Sequence, residues 1–121
     1  VSPKKKYFIT LNQWFDMSLL EEASVQPLYF PSINKANYEN FSTEYFEKFN
    51  QYPNQLSFLS FDLVGLVYYL ILQNNLIIDE RIFSKKTFFK GKVGIFEIKN
   101  NKINHILNFY KVEDSTFKKI F

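Results

Sequence analysis

Residues 56–72, LSFLSFDLVGLVYYLIL, form the most apolar stretch of the chain and carry one charge, Asp62, near the middle. A bilayer span needs about 20 apolar residues, and a carboxylate at mid-membrane costs roughly 3 kcal/mol. A shorter run that holds an acid therefore reads as a helix of a soluble fold, over 57–73, buried between layers. Ser60, Asp62 and Gly65 are its small or polar interruptions. Such a helix needs apolar cover, and Asp62 needs hydrogen-bond donors or nearby water. The expected partner is a loop or a neighbouring amide rather than a ligand.

Around this helix, 121 residues leave room for one domain and one core. An apolar fraction of 46% excludes a disordered chain. Fifteen Phe and eight Tyr are more apolar surface than a small core needs, so part of it is expected at an interface. Arg81 is the only arginine among fifteen basic residues, and the net charge is only +3. Nucleic-acid binding calls for a clustered basic stripe with arginine forks, and none is present. Lys4-Lys5-Lys6 reads as a solvated terminus before a strand. No secretory leader is visible, since Val1-Ser2-Pro3-Lys4 runs into a strand and not into an apolar segment.

The element order expected is β-α-β-α-α-(α)-β-β-β. Residues 7–11 read as a short buried strand. Ser18 and Glu21 have the spacing of a capping box that starts a short helix. A second strand over 25–30 is stopped by Pro31. Tyr38, Phe41, Tyr45, Phe46 and Phe49 make one stripe of a helix over 36–51, capped by Asn34 or Asn37. Tyr52-Pro53-Asn54 breaks it before the apolar helix, and a third short helix is expected at 79–86. The tail alternates over 93–98 and again over 103–112. Turns at Asn100-Asn101 and Glu113-Asp114-Ser115, with a last strand at 117–121, predict a small antiparallel sheet. The chain thus divides into an α/β part, 1–87, and terminal antiparallel strands, 88–121.

Catalytic chemistry finds little support. The chain has no cysteine and one histidine, His105, which excludes a thiol nucleophile and a histidine-rich metal site. No nucleophile elbow, phosphate loop or zinc-protease motif occurs, and no metal or cofactor is expected. Gly91-Lys92-Val93-Gly94 precedes a strand, whereas a phosphate cradle needs a helix behind it. Its glycines read as the entry to a hairpin strand. His105 reads as a surface or edge residue. Glu21 and Glu22 point about 100° apart on a helix and suit its dipole rather than acid–base work.

The loop after the first strand is the best candidate site. Thr10, Asn12, Gln13, Trp14 and Asp16 fall at the strand's carboxyl end, where open α/β sheets bind ligands. The chain's only tryptophan beside two amides suits a small polar organic ligand. The other reading packs Trp14 over the following helix, with Asp16 tying down the loop.

The run from Phe8 to Leu70 resembles the C-terminal part of type 1 periplasmic binding proteins, the leucine/isoleucine/valine-binding class. The shared order is Thr10 to Trp14, Ser18 to Glu22, Pro27 to Phe30, Phe41 to Pro53, then Phe61-Asp62-Leu63. In the tail, Phe89-Lys-Gly91-Lys-Val-Gly94-Ile-Phe96 resembles the family's F-x-G-x-x-G-x-F strand entry. Phe109-Tyr110-Lys111-Val112 is similar to its closing strand. Trp14 and Tyr29-Phe30 point to the branch of penicillin-binding-protein activators. The resemblance covers nearly all of this chain and about the last third of such a protein.

It implies a fragment of a two-lobed α/β fold whose chain crosses between lobes several times. The two long helices fall mostly in one lobe, and the final antiparallel strands in the other. It also implies a non-catalytic, periplasmic binding module, lipid-anchored through an absent N-terminus, that closes on a solute and is read by a membrane permease of an ABC-type system. The alternative within the same fold is a cell-envelope lipoprotein that docks on a peptidoglycan synthase. Amino-acid-binding members carry an acid in the first loop, where this chain has Asn12 and Gln13, with Asp16 the nearest acid. An amide cannot neutralise an ammonium, which favours a ligand other than a free amino acid, or a protein partner. Aromatic residues left uncovered on the two helices imply a homodimer, an exchange of elements, or a piece that persists only with the rest of the chain.

Overall fold

Local signals start and stop most elements of the structure, a computed structural model that describes residues 6–11 and 15–121. In chain order these are β1 (Phe8–Ile9), α1 (Ser18–Glu21), a 3-10 turn (Ala23–Val25), β2 (Leu28–Ser32), α2 (Lys35–Phe49) and α3 (Gln55–Gln73). A second 3-10 turn (Glu80–Phe83), β3 (Thr87–Lys90), β4 (Ile95–Lys99), β5 (Lys102–Ile106), β6 (Asn108–Glu113) and β7 (Thr116–Lys119) follow. The fold is mixed α/β with two sheets, ordered β1-β2-β6-β7 and β3-β4-β5. By contact the chain forms two units, Val1–Ser32 with Leu107–Phe121, and Ile33–Ile106. This division runs through 32/33 and 106/107 rather than 87/88.

In the first unit β1 lies parallel to β2, with Phe8 beside Leu28 and Ile9 beside Tyr29. β6 pairs antiparallel with β2, and β7 with β6. Leu28, Phe30, Tyr110 and Val112 are buried on one face. Phe15 joins them, its ring edge-on to Phe30, Tyr110 and Phe117 at 5.8, 4.8 and 5.4 Å. The strand expected at 7–11 contains only two paired residues. The capping box at Ser18 does not form: Met17 holds the cap position with helical dihedrals, so Ser18 is already inside the helix. Asp16 Oδ1 instead accepts from the Ser18 N–H at 2.9 Å.

β2 continues through Pro31, which was expected to end it. Pro31 pairs with Phe109, whose own N–H donates to Phe121 O, away from β2. No bond crosses at that pair, so the missing Pro31 N–H faces the β1 side, beyond the paired Ile9.

In the second unit Asn34 Oδ1 caps α2 by accepting from the Asn37 N–H at 3.2 Å, and Asn50 ends it in the left-handed region. Asn54 Oδ1 caps α3 by accepting from the Ser57 N–H at 2.9 Å. Phe41 packs on Phe58 and Phe61 between the two helices. α3 is not buried all round: Phe58, Asp62, Leu66 and Leu70, four residues apart, are buried, while Leu56, Phe61, Val64 and Tyr68 are exposed. Rings of α2 cover its first turns, and farther along a cluster forms in which Leu66 and Leu70 meet Phe96 and Ile98. α3 is long and apolar enough to cross a membrane by length and composition. Its one charge, however, is engaged inside the unit.

The helix expected at 79–86 is a single 3-10 turn. Asp79 accepts from the Arg81 N–H, and the Ser84 hydroxyl donates to Arg81 O, which closes the turn on itself. β3 is an element that sequence reading missed. The alternation over 103–112 is broken at Leu107, where β5 and β6 part into different sheets. The tail is therefore two half-sheets and not one. Both hairpin turns, Asn100-Asn101 and Asp114-Ser115, have positive φ at each central residue, as tight two-residue hairpins require.

Candidate functional site

Of the five loop residues singled out in the sequence, Asn12, Gln13 and Trp14 lie outside the described residues. The flanks of the loop are defined. Thr10 N–H donates to Tyr29 O at 3.0 Å and continues the β1–β2 pairing to the start of the loop. Phe15, buried in the first unit, anchors its far end. Asp16 is exposed, and hydrogen bonds from the Ser18 N–H and hydroxyl hold its carboxyl below the usual range. Asp16 thus ties down the chain just before α1, the role that sequence reading weighed against ligand contact. Gln26 Nε2 closes the helix from the other end by donating to Leu19 O and Leu20 O.

The strongest polar constellation in the second unit surrounds Asp62. Its residue is 3% exposed. Oδ2 accepts from the Val93 and Gly94 N–H groups at 3.0 and 2.7 Å, and Oδ1 from the Lys92 N–H at 2.8 Å. The turn that joins β3 to β4 is thus an anion-binding nest filled by the chain's own carboxylate. Gly91 N–H donates to Gly94 O at 2.8 Å and closes the turn. Asn37 Nδ2 donates to Val93 O at 3.3 Å, so α2 holds the same turn from another side. Both glycines are required by close approach: a side chain at Gly91 would overlap the Asp62 carboxylate, and one at Gly94 would overlap His105 Nε2. Held by three main-chain donors, Asp62 is a structural clasp, as its place on an apolar helix led us to expect.

His105 stacks on Phe96 with ring centroids 4.5 Å apart. Desolvation on that side pushes its imidazole below the ordinary value of 6.5, against a smaller upward pull from the Asp62 charge. The fold therefore favours neutral imidazole, and the unfolded chain takes up the proton first. The stability His105 contributes is complete above pH 6.5 and is lost as pH falls from there through the lower folded value. Urea midpoints taken between about pH 7.5 and 5.5 should fall for the wild type and fall less for His105→Phe. Equal slopes in the two proteins would contradict this.

A groove of about 900 Å³ runs between α2 and α3, lined by Phe41, Tyr45, Phe49, Ser57, Ser60 and Phe61 among others. Lys92 Nζ pairs with Glu44 at its edge and lies 5.8 Å from the centre of the Phe61 ring. Sequence reading missed this groove, although the aromatic stripe of α2 signalled its wall. Among the described residues no group of three or more His, Asp or Glu side chains could hold a metal ion. Comparisons of the chain with protein families, with characterised proteins and with solved structures return no match.

Proposed function

We propose that the chain is a non-catalytic, periplasmic ligand-binding module, the C-terminal part of a type 1 periplasmic-binding-protein-like receptor in an ABC-type transport system. The supporting observation is the route of the chain. The strand–helix–strand of β1, α1 and β2 belongs to one unit, α2 to β5 to the other, and β6 and β7 return to the first. A two-lobed receptor whose chain crosses between lobes has this order, with the long helices in one lobe and the last strands in the other. The Trp14 loop follows a strand that is parallel to its neighbour, the position where open α/β sheets present ligands.

The amides at Asn12 and Gln13 favour a ligand without an ammonium group, unless Asp16, whose Oδ1 accepts from the Ser18 N–H, takes that role. The same observation favours, as a second reading, a cell-envelope lipoprotein that docks on a peptidoglycan synthase. Calorimetry of the full-length protein against a panel of amino acids and small metabolites separates the two. Under the receptor reading a small polar solute binds, and Trp14→Ala or Asn12→Ala weakens it at least tenfold, about 1.4 kcal/mol. If nothing binds and both variants are merely less stable, the receptor reading fails and Trp14 is a packing residue.

A further inference from the structure

Charge in the second unit is segregated. From Arg81 to Lys102 the chain carries six lysines, one arginine and a single acid, Glu97, whereas α2 carries Glu39, Glu44 and Glu47 against two lysines. Lys92 pairs with Glu44, and Arg81 with Asp79. The register of β3, β4 and β5 places most of the others. Phe96 and Ile98 are buried against α3, and Phe89 packs on Tyr69 of that helix. Side chains alternate along a strand, so the opposite face carries Phe88 and Lys90 on β3, Ile95 and Lys99 on β4, and Lys102 and Ile106 on β5.

This outer face is laid out in bands. Ile95 stands opposite Ile106, and Phe88 lies on the next row of β3. The three are 42%, 45% and 57% exposed. Lys90 extends the Ile95–Ile106 row, and Lys99 stands directly opposite Lys102 at the hairpin end. Like charges directly opposite destabilise a sheet. No acid among the described residues pairs with Lys90, Lys99 or Lys102. Glu97, the one acid of the face, is taken by Lys86 at 3.7 Å.

Apolar side chains set among lysines that lack counter-charges match an anionic surface with an apolar layer beneath it, as in phospholipid headgroups over acyl chains. A nucleic acid fits less well. Bases stack on open aromatic faces, whereas Lys86 Nζ lies 5.7 Å from the centre of the Phe88 ring, and the rest of the band is aliphatic. The face also has no arginine fork for phosphate. We propose that the outer face of the β3–β4–β5 sheet docks on an anionic phospholipid bilayer, with Lys90, Lys99 and Lys102 against the headgroups and Phe88, Ile95 and Ile106 at the edge of the acyl layer. This contact involves the second unit alone and is independent of any solute in the Trp14 loop.

Co-sedimentation of the full chain with vesicles tests it. One set holds phosphatidylglycerol and phosphatidylcholine in equal parts, and the other phosphatidylcholine alone. The chain should bind the anionic vesicles roughly tenfold tighter than the neutral ones. Added salt should weaken that binding by screening the lysines. Lys99→Gln with Lys102→Gln should weaken it about tenfold, whereas Lys118→Gln with Lys119→Gln, on β7 of the other unit, should leave it unchanged. Phe88→Ser should weaken it about fivefold. All five side chains are surface or half-buried, so circular dichroism should stay the same. Equal binding to both vesicle types would give the contact to an apolar surface such as the bare side of α3 and overturn the proposal. No binding, equal losses in the two lysine pairs, an unaffected Phe88→Ser, or displacement from the vesicles by a single-stranded oligonucleotide that binds tighter would overturn it as well.

Discussion

Replacing Asp62 with alanine is expected to destabilise the protein by about 4 kcal/mol, because it strips three main-chain N–H groups of their acceptor at once. Each unpaired, buried donor costs about 1–3 kcal/mol, and water can reach only the half-buried Lys92 amide at low cost. Asp62→Asn keeps one acceptor oxygen but turns an NH₂ group toward at least one donor, so about half of the loss should remain. Urea unfolding checks both, with the midpoint falling and the slope unchanged. A loss below about 1 kcal/mol for Asp62→Ala would mean that the β3–β4 turn holds its shape without the clasp.

Gly91→Ala is expected to cost about 3 kcal/mol for the complementary reason. The new methyl would stand 2.5 Å from Asp62 Oδ2 and closer still to Cγ, and the carboxylate cannot withdraw without releasing its bonds. The two sites must therefore couple. In the Asp62→Ala background the obstacle is gone, and Gly91→Ala should add about 1 kcal/mol or less. Additive losses in that double-mutant cycle would show that Gly91 is needed for some other reason. Gly94→Ala is the contrasting case. Its obstacle is the ring of His105, a side chain exposed on its outer side that can rotate away, so the loss should be smaller than at Gly91.

The clasp also shows how far sequence carried and where it stopped. An acid on an apolar helix had to meet donors, and the glycines at 91 and 94 read as the entry to a hairpin strand. Both expectations follow from the solvation of charge and the absence of a Cβ, which are local facts. That the acid and the glycines meet each other, thirty residues apart, is a property of tertiary packing. The same division holds for the elements. The Asn34 cap, the aromatic stripe of α2 and the hairpin turns were legible because short-range hydrogen bonds and dihedrals determine them.

What only the tertiary structure decided was partnership. The alternation read over 103–112 did not reveal the switch of sheet at Leu107, because period 2 is the same in either sheet. Pro31 reads as a strand stop, yet it sits inside β2 because the missing N–H faces the side with no paired neighbour. α3 reads as buried all round because its composition is apolar all round; the fold covers one face of it and leaves the other bare. Hydrophobicity dictates that such a helix find cover. It is non-directional, so which surface supplies that cover is settled only by the shapes that meet.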